Sequence, residues 1–371
     1  MPRLLVTGGA GFIGSNFVHY WLSAHPGQRV VVLDALTYAG NLASLEAVVN
    51  RPEFRFVNGN IGDEFLVEEL MRSERIDTLV HFAAESHVDR SIHGPDAFIE
   101  TNVLGSHVLL KTARKVWLTE RTVAQHRFHH VSTDEVYGSL GPDDPAFYEK
   151  TPYAPNSPYS ASKAASDHLA RAYHRTYGLD VTISNCSNNY GPYHFPEKFV
   201  PMMIVNILQG RPLPIYGDGR NIRDWLHVSD HCRGIDLILH RGTAGCAYNI
   251  GGRSESENLV LVRTLCAIAD ATFREEPLLH SRFPECPVNR GEAIESLIQF
   301  VPDRPGHDRR YAIDCRKIER ELGYKPAVSL EEGLRNTFAW FVQNEPWWRG
   351  ACQHWIQTHY GSPPAASSAH V

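Results

Sequence analysis

The stretch RLLVTGGAGFIG, residues 3–14, joins a short apolar run to a glycine-rich turn and then to the start of a helical pattern. Gly8, Gly11 and Gly14 allow a tight turn, a close approach of the backbone to a ligand, and close packing of a helix against a strand. A pyrophosphate placed here would meet the N-terminus of the helix, where N–H groups and the helix dipole favour negative charge. The stretch therefore predicts a first strand, a first helix and a dinucleotide phosphate site between them.

An acidic residue at the end of the next apolar run indicates which dinucleotide fits. Asp34 ends the run RVVVLD (29–34) and stands 20 residues after Gly14. A carboxylate at this place accepts hydrogen bonds from ribose hydroxyls and repels a 2′-phosphate, which favours NAD over NADP. The alternative is a loop or helix-capping aspartate that touches no ligand.

Apolar runs and helical patterns alternate along the first half of the chain. After residue 34 the runs are FRFVNGNI (54–61), DTLVHFAA (77–84), FHHVST (128–133) and DVTISNC (180–186). Continuous Val/Ile/Leu-rich runs separated by helices predict a parallel sheet that is covered on both faces. We therefore expect an α/β protein with a doubly wound parallel sheet, the Rossmann arrangement.

The composition of the sequence changes after about residue 187, where proline and glycine become frequent. This change predicts an NAD-binding domain over 1–187, with segments near 222–252 returning to it, and a second, smaller substrate-binding domain that takes up most of 188–360. The last stretch, GSPPAASSAHV (361–371), has the small and proline-rich composition of a disordered tail.

Composition excludes several classes of protein. A net charge of −6 over 371 residues argues against a nucleic-acid binder. Seven cysteines, an odd count without a CxxC pair, predict reduced thiols in the cytoplasm and neither a disulfide framework nor a zinc site. The 20 histidines follow no recognised ligand spacing, so we expect no metal. The chain starts directly with a strand pattern and has no apolar stretch of roughly 18 residues, so we expect neither a signal peptide nor a membrane span.

Two pairs of residues are candidates for catalysis. Tyr159 and Lys163 form YxxxK at the start of a helical pattern, so they share one helix face. A nearby ammonium and the positive charge of a nicotinamide would both lower the tyrosine pKa and make the phenolate a usable base. Asp134 and Glu135 lie side by side in VSTDEVYG (131–138), directly after a strand pattern. They are either a solvated strand end or an acid and a base that act on one substrate.

The order of the motifs resembles a known family. TGGAGFIG, HFAAESHVDRSI, STDEVYG, YSASKA, NNYGPYHFPEKFVP, GDGRNIRDWLHVSDH and RPGHDRRYAID are similar to the extended short-chain dehydrogenases/reductases, and most similar to the dTDP-glucose 4,6-dehydratases. The resemblance runs from about residue 3 to about residue 345. It implies an NAD-dependent lyase that acts on dTDP-glucose, and a homodimer.

The resemblance also implies roles for individual residues. Tyr159 would take the C4 hydroxyl proton, Thr133 would hydrogen-bond to that hydroxyl, and Lys163 would hold the nicotinamide ribose. Glu135 would remove the C5 proton, and protonated Asp134 would protonate the leaving C6 hydroxyl. The cofactor contacts expected from the motifs and the resemblance are Gly8, Gly11, Phe12, Ile13, Gly14, Asp34, Thr37, Asn60, Ile61, Phe82, Ala83, Ala84, Ser86, Thr101, Tyr159 and Lys163.

The substrate contacts rest on the same resemblance. Arg223 would pair with the pyrophosphate, since a guanidinium makes bidentate bonds to phosphate oxygens. His87 and Arg90 would lie near the sugar and the cofactor, and Asn189 and Lys198 near the sugar and phosphates. Pro214, Ile215 and Tyr216 would form a wall against the base, and Asn258 and His307 would close around the nucleotide.

Other functions compete with this one. A dehydratase for another nucleotide sugar and a nucleotide-sugar 4-epimerase share most of these motifs. An epimerase only oxidises and re-reduces C4, so it has no need of the Asp134–Glu135 pair. A non-enzymatic NAD sensor of the same fold typically loses the Tyr/Lys pair, which this chain keeps.

Overall fold

A seven-stranded parallel sheet organises the computed structural model, which describes residues 2–303 and 306–360, the last seven of these by backbone alone. The strands are β1 (Arg3–Thr7), β2 (Arg29–Asp34), β3 (Phe54–Asn58), β4 (Thr78–His81), β5 (Arg127–Thr133), β6 (Val181–Cys186), β7 (Asn188–Tyr190), β8 (Leu213–Tyr216), β9 (Ile222–His227), β10 (Ala247–Ile250), β11 (Glu255–Glu257) and β12 (Ile298–Val301). The predicted tail, 361–371, lies outside the described residues.

The α-helices alternate with the strands in the first half of the chain and dominate the second half. They are α1 (Phe12–Ala24), α2 (Glu64–Ser73), α3 (Val88–His93), α4 (Asp96–Phe98), α5 (Ser106–Ala113), α6 (Pro158–Tyr177), α7 (Phe199–Leu208), α8 (Val228–Arg241), α9 (Asn258–Glu275), α10 (Leu278–Arg282), α11 (Arg316–Leu322), α12 (Leu330–Gln343) and α13 (Glu345–Tyr360). Wider π-helical turns, Ile99–Gly105 and Arg114–Thr119, flank α5, and 3₁₀ turns cover Leu42–Leu45, Asp134–Tyr137, Pro287–Arg290 and Ile294–Leu297. Within the described parts of the chain, no helix is long and apolar enough to cross a membrane.

The order of the strands confirms the doubly wound fold. The large sheet runs β10-β6-β5-β4-β1-β2-β3, and every neighbouring pair in it is parallel. The chain moves outward from β1 to β3, then returns to the other side of β1 with β4 and moves outward again. A crevice forms beyond the carboxyl ends of β1 and β4, where the winding direction reverses, and open α/β sheets bind their ligands at this position.

The central residues of β1 and β2 are apolar because both faces of the sheet are buried there. Leu4 and Val6 point into a core that also contains Trp21 of α1 and Ile235 of α8. The intervening Leu5 belongs to the core on the opposite face. This alternation follows the two-residue period of a strand, and burial on both faces explains the continuous apolar run of β1.

A third core lies in the second half of the chain. It joins α7, α9 and α12 with strand β8. The cores meet at β9, where Trp225 packs into this third core and its neighbour Leu226 packs into the core of the large sheet. Since β10 is an edge strand of the large sheet, the chain returns to that sheet after leaving it. The division into domains near residue 187 remains an interpretation.

Candidate active site

A cavity of about 650 Å³ lies at the reversal of the sheet. Its floor is formed by residues at the carboxyl ends of β1, β2, β4, β5 and β6. Residues of the third core's region, among them Phe199, Tyr216 and Trp225, line its other side. The fold therefore brings both halves of the chain to one cavity.

The glycine-rich turn is shaped by close backbone contacts at one end of this cavity. Gly8 has φ +71°, and a Cβ atom there would lie 2.5 Å from the backbone nitrogen of Ala83. A Cβ on Gly14 would collide with the carbonyl of Gly8. Helix α1 starts just after Gly11, which supplies no side-chain cap. The turn thus leaves backbone N–H groups of the first helical turn available for an anion.

Asp34 fixes the same turn from the neighbouring strand. Its Oδ2 accepts a hydrogen bond from the backbone nitrogen of Ala10 at 2.9 Å, and its Oδ1 accepts one from Leu36 at 2.8 Å. Burial raises the pKa of Asp34, and these two hydrogen bonds act in the opposite direction. The carboxylate lines the cavity, and its remaining lone pairs can accept hydrogen bonds from hydroxyl groups.

All the other residues expected to contact the cofactor also line the cavity. They are Phe12, Ile13, Thr37, Asn60, Ile61, Phe82, Ala83, Ala84, Ser86, Thr101, Tyr159 and Lys163. Asn60 is held by its own loop, since its Oδ1 accepts a hydrogen bond from the backbone nitrogen of Gly62 at 2.8 Å.

The YxxxK pair lies on the first turns of α6. Ser157 caps this helix in a reciprocal pair with Ser160, and Pro158 occupies its first position. Tyr159 and Lys163 are buried and line the cavity. The Lys163 ammonium donates a hydrogen bond to the carbonyl of Val131 in β5 at 2.7 Å.

The pKa of Tyr159 differs from the expectation of a lowered value. Burial raises it well above the usual value, the charge of Glu135 adds to this effect, and a hydrogen bond with Thr133 acts against it. The charge of Lys163 is not among the main influences on this pKa. In this environment the phenol is a proton donor at neutral pH, and a further positive charge is needed to make it a base.

Asp134 and Glu135 lie in different environments although they are adjacent. Asp134 is 1% exposed, and its Oδ2 is a buried atom without a hydrogen-bond partner among the described residues. Burial raises the pKa of Asp134 well above its usual range, the charges of Glu135 and Asp224 add to this, and Arg223 opposes it. Glu135 is only partly buried. Both residues line the cavity, so one buried and one partly buried carboxyl can face the same ligand.

Most of the residues expected to contact the substrate also line the cavity: His87, Asn189, Lys198, Tyr216, Arg223, Asn258 and His307. Arg223 is 5% exposed, donates to the carbonyls of Ile222 and Asp308, and lies 4.3 Å above the ring of Tyr311. Lys198 donates to the carbonyl of Ser86 at 2.8 Å. Each of these cations is thus anchored by backbone acceptors.

Three expected substrate contacts, Arg90, Pro214 and Ile215, are not among the described residues that line the cavity. The guanidinium of Arg90 lies 4.0 Å above the ring of Tyr38, and that ring lines the cavity in its place. Pro214 pairs with Gln299 inside β8, two residues before Tyr216, which is about 7 Å along a strand. The neighbouring Ile215 is buried in the third core.

Several cavity residues were not found from the sequence. They include Tyr38, Glu85, Asn188, His194, Phe195, Glu197 and Trp225. The ring of His194 stacks on that of Phe12 at 4.0 Å. His194, Phe195 and Glu197 belong to the motif NNYGPYHFPEKFVP, so that motif was the available signal. Tyr38 follows Asp34 and Thr37 along the loop after β2, and it has no motif of its own.

Buried polar atoms on the cavity wall fit a polar ligand. Among the described residues, atoms without a hydrogen-bond partner include Asp134 Oδ2, Asn188 Oδ1, His194 Nδ1 and Asn258 Oδ1. Such atoms are costly to bury unless a ligand or water satisfies them. Together with the glycine-rich turn and Asp34, they suit a dinucleotide and a second polar molecule.

Comparisons with curated proteins agree along nearly the whole chain. The family model described as GDP-mannose 4,6 dehydratase matches residues 5–337. A dTDP-glucose 4,6-dehydratase of Xanthomonas campestris pv. campestris is 53% identical over 352 residues, which covers 94% of this chain and 96% of the relative. A protein of the same name from Salmonella typhimurium is 49% identical, with coverage of 96% and 99%.

Solved structures with the same architecture include two kinds of enzyme. The dTDP-glucose 4,6-dehydratase of Streptomyces venezuelae, solved with NAD bound, has a TM-score of 0.81 and 49% identity, covering 94% of this chain and 99% of its own. The UDP-glucose 4-epimerase of Thermotoga maritima, solved with UDP-glucose, reaches a TM-score of 0.79 at 29% identity, covering 92% and 99%. The fold is common to both kinds of enzyme, whereas the identity is much higher to the dehydratases. The chain therefore belongs to the dTDP-glucose 4,6-dehydratase family of NAD-dependent enzymes.

Proposed function

We propose that this chain converts dTDP-glucose to dTDP-4-keto-6-deoxyglucose and water. The observation that carries the proposal is the Asp134–Glu135 pair, one buried carboxyl and one partly exposed, in the same cavity as Tyr159. An elimination of water across C5 and C6 needs both an acid and a base, and two carboxyls in different environments can supply them.

NAD fits the sheet side of the cavity. The N-terminus of α1 would hold its pyrophosphate, and Asp34 would accept hydrogen bonds from a ribose. When bound, NAD accepts a hydride from C4 of the sugar and returns it to C6. Lys163 would hold the nicotinamide ribose through its ammonium, which the carbonyl of Val131 already orients.

Tyr159 would take the proton of the C4 hydroxyl as that carbon is oxidised. Its buried phenol has a raised pKa, so positive charge must act on it before it can accept a proton. The nicotinamide ring of bound NAD⁺ would supply that charge, in addition to the Lys163 ammonium already present on the same helix face. Thr133 would donate a hydrogen bond to the reacting oxygen, which keeps the C4–O bond aligned with the phenol.

Asp134 and Glu135 would carry out the elimination. The C4 ketone acidifies the C5 hydrogen, and the ionised Glu135 removes that proton. The C5–C6 double bond forms while the C6–O bond breaks, and protonated Asp134 gives its proton to the leaving hydroxyl, which departs as water. A proton then returns to C5 when C6 receives its hydride.

The sugar nucleotide would extend from this centre toward the third core. Arg223 would bind the pyrophosphate, with Lys198 and Asn189 beside it, and Tyr216, Asn258 and His307 would surround the base. Arg90 would act by supporting Tyr38, and Pro214 by fixing the strand that carries Tyr216.

A homodimer and a cytoplasmic location are part of the same proposal. Exposed apolar side chains lie along the helical segment after α3, namely Ile99 and Leu104, and at the end of α6, at Tyr177. Such side chains suit a contact between copies. All seven cysteines carry free thiols, which fits a reducing compartment. Light scattering of the purified protein tests the dimer.

The activity is tested by incubating purified protein with dTDP-glucose and analysing the product by mass spectrometry and NMR. The expected product has lost one water and carries a ketone at C4 and a methyl group at C5. Formation of the C4 epimer without loss of water would favour the epimerase, which the 29% identical structure from Thermotoga maritima represents. Faster turnover of GDP-mannose than of dTDP-glucose would favour a GDP-sugar as the substrate, as in the description of the matching family model.

A further inference from the structure

A second ionisable side chain lies one helical turn beyond Lys163. Asp167 is also on α6, and residues four apart on a helix share a face. Asp167 is fully buried, and within the described part of the chain it stays outside the cavity wall. The residues proposed to act on substrate and cofactor leave this carboxylate without a role.

The carboxylate of Asp167 is held from several sides. Its Oδ2 accepts hydrogen bonds from the hydroxyl of Tyr153 at 2.7 Å and from the amide of Asn185 at 3.3 Å. Its Oδ1 lies 3.1 Å from Nε2 of His130 in β5. His130 directly precedes Val131, whose carbonyl accepts the hydrogen bond of Lys163. One cluster therefore links the catalytic helix to two central strands.

Asp167 is the negatively charged member of this cluster. Burial acts to raise the pKa of Asp167, yet contact with His130 and the charge of Lys163 outweigh it, so its pKa is lowered. Burial and the charge of Lys163 lower the pKa of His130, and the contact with Asp167 acts in the opposite direction. The Asp167 carboxylate is therefore ionised, and Lys163 is one of the cations that act on it.

Lys163 in turn needs a negative charge. Burial lowers its pKa, and the influence of Asp167 is the largest that acts in the opposite direction. Cys186 is the other acidic group that acts on Lys163, and it is neutral because burial raises its pKa to about 12. A buried ammonium that meets only a carbonyl would lose its proton readily.

We propose that Asp167 is a positioning residue that keeps Lys163 an ammonium ion from behind the cavity. The proposal rests on the proposed function, in which Lys163 acts as a cation on the cofactor ribose and on Tyr159. His130, Tyr153 and Asn185 hold the carboxylate in place, so its charge remains at a fixed position during turnover. The titratable and charged groups that face the Asp167–Lys163 pair are His81 on β4, His130 on β5, Cys186 on β6, Tyr137, Tyr153, and Arg171 on α6.

The test compares Asp167→Asn with the wild type across neutral and alkaline pH. Asparagine keeps the shape of the side chain but removes its charge, so the pKa of Lys163 should fall. The alkaline limb of kcat should move down by about 1–3 pH units, the range for loss of a nearby opposite charge. Tyr153→Phe is the matched control, because it removes a hydrogen bond to Asp167 without removing the charge. Its alkaline limb should stay where it is in the wild type.

A second measurement separates an electrostatic role from a structural one. In the background of Lys163→Met, Asp167→Asn should have no further effect on kcat, because the cation on which it acts is gone. An equal fractional loss at every pH, or full additivity with Lys163→Met, would overturn the proposal.

Binding of NAD to the apo-protein, measured by calorimetry over the same pH range, is independent of turnover. As the pH rises, the affinity of Asp167→Asn for NAD should fall at a lower pH than the affinity of the wild type. If the two proteins showed the same dependence of NAD affinity on pH, the inference would be overturned. If the wild type made no 4-keto product, the proposed function would fail, whereas this binding comparison would still test Asp167.

Discussion

The two halves of the cavity are built in different ways. The half on the sheet side comes from the ends of parallel strands and from one glycine-rich turn, where backbone atoms such as the Gly8 carbonyl and the Ala83 nitrogen set the shape. The opposite half comes from side chains around the third core, such as Tyr216 at the end of β8, Arg223 on β9, and His307. Local sequence patterns determine the first half, whereas the second depends on contacts between residues far apart in the chain.

Variants at the junction of the two halves should have the largest effects. Glu135→Gln should allow oxidation at C4 but suppress exchange of the C5 hydrogen with solvent deuterium, and Asp134→Asn should stall loss of water after the ketone forms. Each loses a proton-transfer group, so turnover should fall by roughly 10²–10⁴-fold. Tyr159→Phe should block the first oxidation. Single-turnover absorbance of NADH, measured alongside deuterium at C5, distinguishes the steps. Wild-type exchange at C5 in Glu135→Gln would remove the pair from the elimination.

Asp134→Asn should also reveal how strongly the fold opposes an ionised group at this position. The pKa of Asp134 is raised in the folded state, so the folded protein binds more protons than the unfolded chain, and this acid lowers stability as pH rises above its unfolded pKa. The asparagine variant should therefore have a higher melting temperature than the wild type at neutral pH. The difference should vanish in acid. A variant that is less stable at neutral pH would contradict the protonated state proposed for Asp134.

Arg223→Ala tests the half that is built from long-range contacts. Loss of a charged hydrogen bond to the pyrophosphate should weaken binding of dTDP-glucose and of dTDP in parallel, by roughly 1.5–3 kcal/mol. The NAD content should stay normal because Arg223 lies on the opposite side of the cavity. Arg309→Ala is the matched control, since Arg309 forms an exposed ion pair with Asp218 at 2.8 Å, and exposed pairs contribute little. Unchanged dTDP binding in Arg223→Ala would place the pyrophosphate elsewhere.

Asp34→Ala tests the half that follows from local pattern. It should weaken the binding of NAD roughly tenfold, about 1.4 kcal/mol. The difference in affinity between NAD and NADP should also become smaller, because the charge that repels the 2′-phosphate is gone. Asp34→Asn separates the two effects, since it removes the charge and keeps an oxygen acceptor for the turn. Calorimetry with both dinucleotides measures the change. An unchanged preference for NAD in Asp34→Ala would mean that Asp34 serves only the turn at Ala10 and Leu36.

The contrast between the two halves of the cavity explains which features the sequence can predict. The apolar strand patterns, the glycine spacing and YxxxK are local patterns, and each is typical of one local structure. They predict the doubly wound fold and the residues of the sheet-side half of the cavity. Arg90 and Tyr38 are 52 residues apart in the chain, and only the fold shows that one supports the other. Asp167, His130 and Tyr153 come from a helix, a strand and a loop, so no spacing rule connects them. The raised pKa of Tyr159 depends on burial, which a motif does not report.

Arg90→Ala should produce the smallest effect, and it tests the boundary between the two halves. The resemblance predicts Arg90 near the sugar and the cofactor, but its guanidinium lies 4.0 Å above the ring of Tyr38, so we expect it to act on a ligand through that ring. A cation–π contact of this kind is worth about 0.5–1 kcal/mol, which would change the KM for dTDP-glucose only a few-fold and leave kcat close to the wild-type value. In a Tyr38→Leu background the ring is absent, and Arg90→Ala should then change nothing further. A loss as large as that of Arg223→Ala, or one that persists without the Tyr38 ring, would show that Arg90 reaches the ligand directly and that the sugar pocket rearranges around it.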